Sequence, residues 1–163
     1  MPDPILVLTT GGTIDKSYFD DLSTYQVGET QVGRLLALAR VQHPFEVREL
    51  LRKDSLELDD ADRALIARSV REAPQRRIVI THGTDTMTTT AAALGEIGGK
   101  TVVLVGALAP ARFAESDAPF NLGMAFATAQ AAPPGVWITM NGTVFPAAAV
   151  VKDRSRNMFV FKE

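Results

Sequence analysis

Three short segments hold the residue types that acyl-transfer chemistry needs: Thr10-Gly11-Gly12-Thr13, Lys53-Asp54-Ser55 and His82-Gly83-Thr84-Asp85-Thr86. Gly11-Gly12 removes two Cβ atoms directly before Thr13. The backbone can then turn sharply, present its N–H groups and let a ligand approach the hydroxyl. Alone, such a pair is only a turn. Thr84 and Asp85 place a hydroxyl and a carboxylate where a helix begins. They serve either as its cap or, beside free N–H groups, as part of an oxyanion site. A threonine hydroxyl attacks only when a base removes its proton. The chain has two histidines, His43 and His82, and His82 reads as a buried structural residue rather than a base. A lysine in a partly apolar setting is the remaining candidate, because desolvation favours the neutral amine. Lys152 follows the apolar run Ala147 to Val151 and fits that description, although a solvated lysine is the ordinary alternative.

Composition removes other chemistries. There is no cysteine, which excludes disulfides, thiolate zinc sites and a thiol nucleophile. Neither phosphate-binding glycine fingerprint is present. With 17 basic and 19 acidic residues the formal charge is −2, so no nucleic-acid or anionic-membrane partner is expected. At 163 residues, 46% hydrophobic and 22% charged, one domain spanning 1–163 is expected. The start, Met1-Pro2-Asp3-Pro4, lacks the basic and apolar regions of a signal peptide, and no apolar run approaches the ~18 residues that cross a bilayer. The expectation is a soluble cytoplasmic protein.

The elements that must position these groups follow from the apolar pattern. Runs at Ile5 to Thr9, Phe45 to Leu51, Arg77 to Thr81, Thr101 to Val105 and Val136 to Met140 suit a parallel sheet buried on both faces. Helical patterns lie between them: one through Val32, Leu35, Leu36 and Ala39, and one after the cap candidates Asp59 and Asp60. A third follows Thr84 into Ala91-Ala92-Ala93, and a fourth covers about Ala118 to Ala131. The alternation predicts an α/β fold, a doubly wound, mostly parallel sheet with helices on both faces. Met158 to Phe161 is expected to add an extended piece at a sheet edge or across the domain. In such sheets ligands bind beyond the carboxyl ends of the strands, which is where the polar segments fall, with Asn141-Gly142-Thr143 as a further one.

These segments together resemble the bacterial-type L-asparaginase family, which includes asparaginase–glutaminases. Thr10-Gly11-Gly12-Thr13-Ile14 matches its first signature and Thr81-His82-Gly83-Thr84-Asp85-Thr86-Met87 its second. Val105 to Leu108 with Ser116-Asp117 and Pro119 to Leu122 is similar to a third block, and Met140 to Val144 followed by Lys152 to a fourth. The resemblance implies an amidohydrolase that converts L-asparagine to L-aspartate and ammonia without metal or cofactor. It implies Thr13 as nucleophile, Tyr25 of a mobile loop as its activator, and a Thr84–Lys152–Asp85 arrangement. Which threonine attacks first stays open. Ser55 is implied to bind the substrate's α-carboxylate beside Asp54, and Asp85 its α-ammonium. Backbone N–H groups around Gly12, Thr13 and Thr84 are implied to hold the oxyanion.

The chain also departs from the family pattern. Family members carry a second, smaller C-terminal domain, and this sequence stops where that domain would begin. A short single-domain member is expected, with a domain of a longer protein as the alternative. A homo-oligomer, dimer or tetramer, is expected to close the pocket, with Phe113, Phe120, Phe126 and Phe159 as candidates for its surfaces or for the core. The loop from Asp15 to Gly28 begins Asp15-Lys16-Ser17 where the family has small residues. A glutaminase of the same chemistry and a non-catalytic asparagine or aspartate sensor are the rival functions.

Overall fold

A computed structural model describes residues 2–163. Its centre is a six-stranded sheet built from β1 (Ile5–Gly11), β4 (Phe45–Lys53), β5 (Arg77–Thr81), β6 (Thr101–Val105), β7 (Gly135–Met140) and β8 (Thr143–Pro146), in the order β4-β1-β5-β6-β7-β8. The first five are parallel, and β8 turns back antiparallel on β7. All five strand runs read from the sequence are present. Two smaller antiparallel ribbons stand outside the sheet: β2 (Lys16–Phe19) with β3 (Thr24–Val27), and β9 (Val150–Asp153) with β10 (Met158–Phe161). Met158 to Phe161 is therefore a ribbon strand and not an edge of the main sheet.

Alternation along the strands assigns the helices to faces. Leu6 and Leu8 of β1, with Ile78 and Ile80 of β5, pack on α2 (Asp60–Glu72) and α3 (Met87–Ala93) through Ile66, Val70, Met87 and Ala91. Ile5, Val7 and Val79 point the other way, onto Val32, Leu35 and Leu36 of α1 (Val32–Leu38) and Leu122, Ala125 and Phe126 of α4 (Ala118–Ala131). β1, β5 and β6 are thus apolar on both sides, which is why their runs are continuous, whereas β4, expected to be buried on both faces, lies at the sheet edge with Glu46, Arg48, Glu49 and Arg52 exposed. Asp59 caps α2 in a reciprocal pair with Asp62. At the other end of α2, the buried Lys100 ammonium donates to the Val70 and Arg71 carbonyls at 2.6 and 3.0 Å.

The order β4-β1-β5 has a functional consequence. From β1 the chain crosses outward to β4, then returns to the far side of β1 for β5. The carboxyl ends of β1 and β5 therefore flank the crevice where the direction of winding reverses, and Thr9 and Thr81 lie in register there. Thr13 and Thr84 follow these two strands directly.

Candidate active site

The turns after β1 and β5 are in backbone contact. A Cβ built on Gly12 would fall 2.5 Å from the Gly83 nitrogen, and one on Gly83 would fall 2.6 Å from the Ser55 Cβ. Gly12 also has φ 88°, a conformation that side chains disfavour. The absence of both side chains lets Thr13, Ser55 and Thr84 converge on adjoining backbone. Thr13 itself is half-buried, and no hydrogen bond fixes its hydroxyl among the described residues.

Across from this turn, the Lys152 ammonium donates to the Thr84 hydroxyl and to Asp85 Oδ1, both at 2.8 Å. The capping alternative for Thr84 and Asp85 is not realised. The position before α3 is Thr86, without a side-chain cap, and both earlier side chains face the lysine. The structure therefore brings together Thr84, Asp85 and Lys152, the last 68 residues distant in sequence from Thr84. What aims Lys152 is the β9–β10 ribbon. Lys152 is paired with Phe159, whose side chain is buried in the core and whose N–H donates to Asn141 Oδ1 at 2.7 Å. Asn141 follows the end of β7 with φ 51°, so the fourth polar strand end serves to dock the lysine's ribbon.

Ser55 is only 1% exposed. Its Oγ accepts from the Thr86 N–H at 3.3 Å, and its carbonyl accepts from the Thr86 hydroxyl at 2.8 Å. It is wedged between Gly83 and the start of α3, with its hydroxyl proton still available to a ligand. Asp54 accepts from the Leu56 N–H and pairs with Lys16 of β2 at 3.0 Å. Partial burial pushes the Asp54 carboxyl up, but the Leu56 N–H and Lys16 outweigh it and hold the group below the usual carboxylate range. Asp54 thus joins the Ser55 corner to the ribbon.

Tyr25 lies on β3, half exposed, with its ring 5.3 Å from Tyr18 and 5.7 Å from Phe113. No hydrogen bond joins its hydroxyl to Thr84, Asp85 or Lys152 among the described residues. The stretch expected as a loop from Asp15 to Gly28 is a two-stranded hairpin, which starts at Lys16 after a short 3-10 turn over Thr13–Asp15. A cleft of about 350 Å³ runs beside it, bordered by Lys16, Tyr25, Val27, Arg52 and Asp54.

His82 is wholly buried. Its Nδ1–H donates to the Gly83 carbonyl at 2.6 Å, and Nε2 accepts from the Thr90 hydroxyl at 2.7 Å. Burial pushes its pKa down to about 4, so at neutral pH it is an uncharged structural strut, as its sequence context suggested. A residue to which the sequence reading gave no role is Asp117. It accepts from the Leu108 and Ala109 N–H groups and from the Asn121 side-chain amide, fixing the loop after β6. Its signal is a carboxylate one residue before the helix start Ala118-Pro119.

Comparison with known proteins identifies the family and the fold. Residues 4–163 match the family model described as "Asparaginase, N-terminal". The chain belongs to the asparaginase family and corresponds to its N-terminal domain. The L-asparaginase of Thermococcus kodakarensis is 32% identical over 164 residues, covering 97% of this chain and 50% of that protein. Its solved structure superposes with a TM-score of 0.85. The glutaminase-asparaginase of Acinetobacter glutaminasificans is 32% identical, over 91% of this chain and 49% of its own length. L-asparaginase I of Vibrio cholerae superposes with a TM-score of 0.86 at 27% identity, over all of this chain and 52% of that one. The chain spans about half the length of the relatives it matches. None of its described helices is long and apolar enough to cross a membrane.

Proposed function

We propose that this chain hydrolyses L-asparagine to L-aspartate and ammonia. The observation that carries the reading is the Lys152 ammonium holding Thr84 and Asp85 at 2.8 Å each, beside the turn that presents Thr13. Family membership and the names of the relatives support the substrate class.

In this reading the Thr13 hydroxyl attacks the side-chain amide carbon. The tetrahedral oxyanion faces backbone N–H groups of the Gly12–Thr13 and Thr84 turns, ammonia leaves, and water resolves the β-aspartyl ester. Lys152 and Thr84 carry the proton movements, and the hairpin brings Tyr25 to Thr13. One Asp85 oxygen is taken by Lys152, and the other receives the substrate's α-ammonium. Ser55 donates to the α-carboxylate, with Asp54 setting its corner. These contacts fix the amide against the nucleophile.

The second reading is glutamine hydrolysis by the same groups, favoured by the glutaminase-asparaginase among the relatives. One methylene discriminates by only ~1–3 kcal/mol, so both substrates belong in the assay. Ammonia release from asparagine and glutamine side by side tests the proposal, and no release from either would overturn it. We also infer a cytoplasmic homo-oligomer. Exposed Tyr18, Phe19, Leu22, Tyr25 and Phe113, which gather on and beside the hairpin, support a covered surface there. Sedimentation at assay concentration checks this, and an active monomer would remove it.

A further inference from the structure

The hairpin β2–β3 is held to the domain at its root, and the root is organised around one buried acid. The Asp15 carbonyl accepts from the Gly28 N–H at 2.9 Å, and its N–H donates to the Gly12 carbonyl. Its side chain reaches past the returning strand: Oδ1 accepts from the Gln31 N–H at 2.8 Å and from the Thr30 hydroxyl at 3.3 Å. A single residue therefore ties the outgoing end of the hairpin to the segment that follows it. Asp15 is 1% exposed, and no lysine or arginine lies within ion-pair distance of it among the described residues.

An ionised carboxylate in such a place has lost its water and gained two donors on one oxygen. Opening the root would return that water. We propose that Asp15 is a positioning residue that sets the opening equilibrium of the hairpin carrying Tyr25: ionised, it favours the open state, and protonated, it favours the closed one. Burial pushes the Asp15 carboxyl up to about 6, against the pull of Gln31 and Thr30. Glu49 of β4 raises it further, and Arg112 after β6 relieves it slightly. Arg52 of β4 also feels its charge, and Arg34 of α1 braces the root through Gln31 Oε1 and the Ala111 carbonyl.

The sign follows from linkage. A group that binds its proton more tightly in the closed state than in water stabilises closure when protonated and opposes it when ionised. Opening therefore becomes easier as pH rises through about 6. If the open state fully hydrates the carboxylate, at its ordinary 3.8, the increase is capped at roughly a hundredfold. His82, pushed down to about 4, and Asp54, held below its usual range, do not titrate in that window.

Hydrogen exchange followed by mass spectrometry on peptides covering residues 16–28, between pH 5 and 8 and corrected for intrinsic exchange, tests this. The opening constant of the wild-type hairpin should rise several-fold, up to about tenfold across that window, with a midpoint near 6, while β6 peptides stay flat. Asp15→Asn, neutral throughout and still an acceptor for the Gln31 N–H, should stay closed at all pH values. A pH-independent wild type, an Asp15→Asn hairpin that keeps the rise, or opening on acidification would each overturn the proposal. If Asp15→Asn does not fold, the Asp15 carboxyl carbon in wild-type protein can be titrated by NMR, and full ionisation at pH 5 would overturn it equally. The consequence for turnover, that substrate enters more readily above pH 6, rests on the function proposed above. The exchange measurement does not depend on that function.

Discussion

The strand-end cluster and the hairpin lie next to each other and are built in opposite ways. Around Gly12, Gly83 and Ser55 the backbone is packed so closely that single methyl groups have no room, and Thr84, Asp85 and Lys152 are tied by two bonds of 2.8 Å. The hairpin has two four-residue strands paired only with each other, exposed side chains along both, and a root held by Asp15 and the Lys16–Asp54 pair. The difference divides the work. In the proposed function, the groups that must keep sub-ångström positions stand on sheet ends, and Tyr25, which would move as substrate enters and leaves, stands on a segment with little to break.

Substitutions can break this contrast, starting with the rigid side. Lys152→Met removes the donor shared by Thr84 and Asp85, and activity should fall about 10²–10⁴-fold while the fold persists. Near-wild-type turnover would detach Lys152 from the chemistry. Gly12→Ala forces a Cβ to within 2.5 Å of the Gly83 nitrogen at φ 88°. It should cost about 3–5 kcal/mol of stability in denaturant titrations. A loss below 1 kcal/mol would mean that the two turns can separate. On the hairpin side, Tyr25→Phe keeps the contacts with Tyr18 and Phe113 and loses only the hydroxyl. Melting should be unchanged and kcat/KM should drop about tenfold or more. The smallest effect belongs to Lys16→Ala. The ion pair with Asp54 is partly solvated, so stability should change by only ~0.2–1 kcal/mol. Proteolysis within residues 16–28 should accelerate, and unchanged cleavage would remove that pair as an anchor.

The parallel sheet was legible because its inner strands β1, β5 and β6 are buried on both faces, which makes runs such as Ile5 to Thr9 and Thr101 to Val105 continuously apolar. The polar turns at strand ends were legible for the same reason, since they interrupt those runs. The hairpin was not. Its strands have four residues, and its turn Asp20-Asp21-Leu22-Ser23 lacks the Asn-Gly or Asp-Gly signal of a tight hairpin, with Ser23 supplying the positive φ of 48°. The apolar run before Lys152 marked it as a candidate base, but its place beside Thr84 and Asp85 came only from the resemblance. Its meeting with Thr84 requires a ribbon to fold back over 68 residues of intervening chain, guided by a buried Phe159 and an Asn141 acceptor, and no spacing rule contains that. Phe113 and Phe120 are exposed, whereas Phe126 and Phe159 are in the core, a split set by helix face and ribbon register rather than by residue type. Asp15 stood out in the sequence only as an unusual start to the loop, because its burial depends on Thr30 and Gln31 closing behind it.

The most direct test of the proposed chemistry is ammonia release from L-asparagine by wild type and by Thr13→Ala, with melting curves of both. Thr13 lies in a turn, half-buried and with an unbonded hydroxyl, so its removal should leave the melting temperature within about a degree or two. The proposed chemistry predicts measurable release by wild type and nearly complete loss in the variant at that unchanged stability. Wild-type turnover by Thr13→Ala would contradict it.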